Sequence, residues 1–140
     1  MSNIHRPTDH ALVKHSFILT ITTATTNGNV IDTQGYERAL AIFDSAPSGG
    51  GATSDCKLQD GDLANGADQA DVPTATFPQV TTAGGQKIET MNINLSKRRR
   101  YLRLVHTGAG RAAAGQAVGV LILFNPRNAA PAQDVAVVTV

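Results

Sequence analysis

Apolar and polar residues alternate in short runs along this chain, and no run keeps the three-to-four-residue apolar period of a helix for long. Phe17, Leu19 and Ile21 alternate with Ile18, Thr20 and Thr22, and β-branched residues continue to Thr26, which predicts a strand closed by a turn at Asn27-Gly28-Asn29. Residues 30–33 give a short strand. Residues 38–44 give a clearer one, with Leu40 and Ile42 on one face and Ala39, Ala41 and Phe43 on the other. Two apolar faces mean a strand covered on both sides.

Pro47 and three consecutive glycines make 45–53 a loop. Residues 54–59 resume as a strand, and 60–73, with two glycines and four aspartates, reads as a long acidic loop. In 86–95, Met91, Ile93 and Leu95 point inward and Asn92 and Asn94 outward. Ile88 is out of step with them, which predicts a β-bulge between Ile88 and Met91. Residues 100–107 and 116–124 form the best hairpin candidate, joined by the small-residue stretch 108–115. The second of these strands is apolar on both faces, with Val118, Val120, Ile122 and Phe124 on one and Leu121 and Leu123 on the other, so it should be central. Pro126 ends it, because proline cannot donate a ladder hydrogen bond.

About seven or eight strands at short intervals predict an all-β fold, a single-domain antiparallel β-sandwich of jelly-roll-like form. The expected domain covers 17–125. A polar arm at 1–16 precedes it, and a tail at 126–140 follows, ending in the β-branched apolar segment 135–140. At 140 residues and 14.6 kDa the chain fits one core. The longest apolar run, 117–124, is far short of the roughly 20 residues that span a bilayer, and no signal peptide is expected at the start.

Charged residues make up only 16% of the chain and hydrophobic ones 41%. The surface is therefore built of small neutral residues that suit close packing with little ordering of long side chains. A net charge of +1 supplies no field to attract nucleic acid or an anionic membrane, and neither is an expected partner. Cys56 is the single cysteine, so no internal disulfide forms.

The candidate chemistry is thin. Gly108, Gly110 and Gly115 have the wrong spacing for a phosphate loop, and a strand rather than a helix follows them. Asp60, Asp62, Asn65 and Asp68 gather oxygen atoms that a calcium ion could use, but the pattern lacks the closing glutamate of an EF-hand; a solvated acidic loop is the plainer reading. His5, His10 and His15 recur at a five-residue spacing that fits neither a helical face nor a strand face. No cofactor or metal is expected. No serine sits in a nucleophile elbow, Asp55 disfavours a Cys56 thiolate, and the carboxylates gather in one loop, so no enzyme activity is expected.

The dense basic cluster is Lys97-Arg98-Arg99-Arg100. A protein contact and a solvated strand end both fit it, while a nucleic-acid groove would want more aromatics than Tyr101. Lys97, Arg98 and Arg99 of this cluster, together with Arg6, Lys14, Arg127, Val135 and Val137, are the candidate protein-contact residues.

Several pieces of the chain, taken in order, resemble a family of small tailed-phage proteins that decorate or cement the capsid. They are Ile31-Asp32-Thr33 with Gly35-Tyr36-Glu37; Lys57-Leu58-Gln59-Asp60 leading to Asp71-Val72-Pro73; Arg100-Tyr101-Leu102-Arg103-Leu104; and Phe124-Asn125-Pro126-Arg127. The glycine run 49–51 and Arg98-Arg99 depart from the family pattern. The resemblance implies a virion structural protein on the outer face of a bacteriophage capsid, bound to the major capsid protein, reinforcing joints between capsomers. It also implies a homo-oligomer, with a homotrimer favoured, and no catalytic residues. The competing expectations are a carbohydrate-binding or host-attachment module, and a tail or connector subunit. Sugar platforms usually need exposed aromatic faces, and there is no Trp and only 4% aromatic residues.

Overall fold

A computed structural model describes residues 11–110 and 114–126. Ten strands follow one another: β1 (Ala11–Thr20), β2 (Thr25–Asn27), β3 (Ile31–Asp32), β4 (Tyr36–Ser48), β5 (Thr53–Gly61), β6 (Ala70–Thr76), β7 (Val80–Thr81), β8 (Lys87–Asn94), β9 (Tyr101–Ala109) and β10 (Ala114–Pro126). Single 3-10 turns lie at Thr82–Gly84 and Leu95–Lys97. One sheet has the order β1-β10-β4-β8 and the other β2-β9-β5-β6, with β3 also on β9 and β7 also on β5. All pairings are antiparallel. Among the longer connections only β5 to β6 stays within one sheet; the others cross between sheets, as in a jelly roll.

That crossing corrects the expected hairpin. β9 and β10 lie in different sheets, β9 against β5 and β10 between β1 and β4. Each is central and apolar, so each fills the middle of its own sheet. The expectation that the second strand is central holds.

The core between the sheets is built from alternate residues of facing strands. Ala39, Ala41 and Phe43 of β4 and Leu121 and Leu123 of β10 meet Leu58 of β5 and Leu102 and Leu104 of β9. Phe43 packs edge-on to Phe17, with centroids 6.4 Å apart, and tilted against Phe77 at 5.5 Å. Burial of each such Leu or Phe contributes roughly 1.5–3 kcal/mol.

The bounds of β1, β4 and the acidic loop, and the regularity of β8, differ from expectation. β1 begins at Ala11, so residues 11–16 of the expected arm are ladder residues of the sandwich. A register shift between His15 and Phe17 moves the inward side from Leu12 to Phe17, which breaks the two-residue period there. No bulge occurs in β8, which pairs regularly with β4 from Arg38↔Asn94 to Ser45↔Lys87. Ile88 simply faces outward, 65% exposed. β4 continues through Pro47 to Ser48, because β10 stays paired with it to Ala114. The acidic loop shrinks to 62–69, since Asp60 and Gly61 extend β5 and Asp71 and Pro73 belong to β6.

Candidate functional site

Asp60, the penultimate residue of β5, has its side chain buried, and the next loop returns Asp62 and Asp68 to the same place. Arg99 stands among the three carboxylates. Its Nε lies 3.0 Å from Asp60 Oδ1, and its Nη1 lies 3.3 Å from Asp68 Oδ2 and 4.0 Å from Asp62 Oδ2. Nη1 and Nη2 also donate to the carbonyls of Asp68 and Asp60. Asp68 in turn accepts the amides of Asp62 at 2.7 Å and Leu63 at 3.1 Å, and these bonds hold its carboxyl below the usual carboxylate range. A guanidinium thus occupies the middle of the acidic group that a cation would need.

The other members of the basic stretch are placed differently. Arg98 reaches Asp60 Oδ2 at 3.5 Å, while Arg100 makes a two-pronged contact with Asp32, at 2.9 and 2.7 Å, and lies over the Tyr101 ring. This pairing holds the Asp32 carboxyl below its ordinary range. Lys97 is exposed at the end of the second 3-10 turn and makes no ion pair among the described residues. Lys14 is half-buried on β1, at a groove it shares with Leu12, His15, Gln34 and Tyr36; the same Gln34 and Tyr36 also line a second groove with Arg98 and Arg100. Lys14, Arg98 and Arg100 therefore rim one end of the sandwich. Arg6, Arg127, Val135 and Val137 lie outside the described residues, as do His5 and His10.

Three of the four sequence pieces that carry the phage resemblance meet through their side chains. Lys57 Nζ and Gln59 Nε2 both donate to Asp71, at 2.7 and 2.6 Å, Arg103 Nε donates to Gln59 Oε1 at 2.7 Å, and Asp32 holds Arg100. The outer face of the β2-β9-β5-β6 sheet is thereby polar and internally paired. Asp55 accepts from Gln79, and Thr25 bonds Thr107, on the same face.

The outer face of the β1-β10-β4-β8 sheet is its opposite. Because Ala39, Ala41 and Phe43 point inward, Leu40 and Ile42 point out; because Leu121 and Leu123 point inward, Val118, Val120, Ile122 and Phe124 point out. The ladder sets Leu40 beside Ile122 and Ile42 beside Val120. Ile18 at 72% exposure and Ile88 at 65% flank this stripe on β1 and β8. The sequence pattern had already divided β4 and β10 into two apolar faces, without showing which one looks outward. Only the pairing of those two strands joins the sets into one patch.

Between the sheets lies a buried polar relay. Ser45 Oγ donates to Ser54 Oγ at 2.7 Å, and Ser54 Oγ lies 2.7 Å from His106 Nε2. All three residues are almost fully enclosed, and burial pushes the His106 pKa down. Solvent does not reach these atoms, and the relay joins β4, β5 and β9 through the core. Cys56 is also buried, which pushes its thiol up to about 12. Among the described residues no three His, Cys, Asp or Glu side chains gather as a metal cluster, and no helix is long and apolar enough to cross a membrane.

No protein-family model matches the chain, and no curated protein matches it in sequence. In fold it is similar to the solved structure described as "Bacillus endospore appendages form a novel family of disulfide-linked pili", with a TM-score of 0.50, 13% identity, and coverage of 90% of this chain and 97% of that one. At this identity the likeness concerns the fold alone. Looser overlaps, which carry no argument, are with PirA (TM-score 0.38, 16% identity, 88% of this chain and 100% of that one) and with the infectious bursal disease virus Gx strain (TM-score 0.40, 18% identity, 84% of this chain and 30% of that one).

Proposed function

We propose that this chain is a non-catalytic structural protein of a bacteriophage virion, bound as an oligomer to the outer surface of the capsid, where it stabilises contacts between capsomers of the major capsid protein. The observation that carries the reading is the contrast between the two sheet faces. One is closed by its own ion pairs and amide bonds, and the other presents a wide apolar stripe. Soluble monomers rarely leave large contiguous apolar patches uncovered, so such a face suits a life among neighbouring subunits. The ordered sequence pieces that resemble decoration proteins supply the kind of neighbour. Side chains of three of the four pieces meet on one sheet face, in the Lys57–Asp71–Gln59–Arg103 chain and the separate Asp32–Arg100 pair.

A disulfide-linked pilus subunit, like the appendage protein, finds less support as a second reading. This chain has one cysteine, and it is enclosed with its thiol held protonated. A carbohydrate platform also lacks its main part. Phe17, Phe43 and Phe77 are in the core, and Tyr36, Tyr101 and Phe124 are half-buried.

The test is to add the purified full chain to undecorated phage heads and image the particles by electron microscopy. Density on the outer shell, with heads that resist heat or chelator longer than bare ones, is the expected result. Absence of bound chain at saturating concentration, or density confined to the tail, would overturn the reading.

A further inference from the structure

The apolar face of the β1-β10-β4-β8 sheet also carries two opposite charges in a placement that selects one occupant. Arg38 and Asp44 share the outward side of β4 with Leu40 and Ile42, one at each end of that pair. They lie six residues apart, about 20 Å along the strand. Arg38 is exposed and makes no ion pair among the described residues. Asp44 accepts from Gln86 Nε2 through Oδ1 at 2.9 Å, and Oδ2 has no partner among the described residues.

We propose that two copies of this chain pair face to face through this sheet, about a two-fold axis that lies in the interface and crosses β4 between Leu40 and Ile42. Turning a second copy about that axis reverses the direction of its strands. Arg38 of each copy then stands over Asp44 of the other, Leu40 over Ile42, Ile122 over Val120, and Phe124 over Val118. On the two central strands, β4 and β10, every apolar position meets an apolar position, and an Arg38–Asp44 pair forms at each end. A two-fold axis parallel to the strands would instead set Arg38 over Arg38 and Asp44 over Asp44, so the charges choose between the two orientations.

The size of the face makes this a weak pairing. Four strands at their usual spacing, over the roughly 20 Å from Arg38 to Asp44, cover about 400 Å² per copy. Both copies together reach roughly 800 Å², below the roughly 1,000 Å² of a tight specific interface, so pairing is expected only at micromolar concentrations. Two sheets packing about 10 Å apart leave room for interleaved aliphatic side chains and bring an Arg head group within reach of a facing carboxylate. A face that is its own complement closes at two copies. The arrangement therefore differs from the three-fold state that the phage resemblance implies, and it stands or falls without the capsid.

Sedimentation equilibrium of the full chain alone, at tens of micromolar, tests it with three variants. Wild type should be a dimer. Arg38→Asp and Asp44→Arg each set like charges opposite one another at both ends, and each should weaken the dimer by at least about tenfold. The combined Arg38→Asp/Asp44→Arg variant restores opposite charges and should dimerise within a few-fold of wild type. Unchanged melting of all three variants, diluted to monomer, would show that the effect is on pairing and not on folding. A wild-type monomer or trimer overturns the proposal, as does a dimer that ignores the single reversals or is not rescued by the exchange.

Discussion

Ser54 is the middle of the buried relay: it accepts from Ser45, and its Oγ lies 2.7 Å from His106 Nε2, a contact that the neutral ring can make as donor or acceptor. The ring is almost fully enclosed, and burial disfavours its charged form, so the folded pKa of His106 lies below its ordinary 6.5. The sign follows: the folded chain takes up this proton less readily than the unfolded one, so stability is full above about pH 6.5 and declines as the pH falls below it. Asp32, Asp68 and Asp71 have depressed pKa values, and their contribution is lost only at lower pH, within and below the carboxylate range. Urea titrations at a series of pH values should show the first decline in wild type and a flatter profile in His106→Gln. Ser54→Ala should cost about 1–3 kcal/mol at pH 7.5, because two buried partners lose their bond at once. A second residue-level expectation concerns Gly119, where a Cβ would lie 2.6 Å from the Phe17 ring. Gly119→Ala should cost about 1–3 kcal/mol through that overlap. In a Phe17→Leu background the same change should cost less, and denaturation of the four proteins measures the coupling.

At the scale of elements, much of the architecture was legible because alternation survives where a strand is regular. β4 and β10 carry an unbroken two-residue period, and the division of their side chains between two faces matches the structure; in β8 the inward Met91 and Ile93 match too, while the exposed Ile88 broke the apolar pattern and suggested a bulge that the ladder does not contain. β1 was half missed, because the shift at Ser16 changes the inward parity from Leu12 to Phe17, and alternation across that point reads as noise. β6 was missed because it is an edge strand with a single buried residue, Val72, and so little pattern to read. The false hairpin has another origin. Local periodicity shows that β9 and β10 are strands but cannot show whether two apolar strands lie side by side or face each other across a core. The acidic loop was visible as charge, yet its closure depends on Arg99, 39 residues from Asp60 in sequence, so no local motif announces it. If Arg99 holds this loop to the end of β5, Arg99→Gln should speed hydrogen exchange at the amides of Asp62 and Leu63 many-fold. Amides of β9 and β10 should keep their protection, and uniform loss across the sheets would mean instead that the pair supports the whole fold.

For the whole molecule, β10 carries an internal comparison between its two faces. Leu121 and Leu123 are fully enclosed, while Val120 and Ile122, their neighbours in the same strand, look outward and are half-buried. In an isolated copy only the inward set supports the core. Leu121→Ala should cost about 2–5 kcal/mol, the usual penalty for a cavity in a packed interior. Ile122→Thr, which keeps the β-branch and adds a hydroxyl where solvent can reach it, should cost less than about 1 kcal/mol in dilute solution. The order should change with concentration. Where copies or capsid subunits cover the outer face, Ile122→Thr removes burial that exists only in the assembly, so the stability of wild type should rise with protein concentration and that of the variant should not. Thermal melts of both proteins across a hundredfold dilution series separate the two cases. Equal, concentration-independent costs at positions 121 and 122 would mean that the outer face is already covered within one chain, and both the pairing of copies and the capsid contact through this sheet would then have to be abandoned.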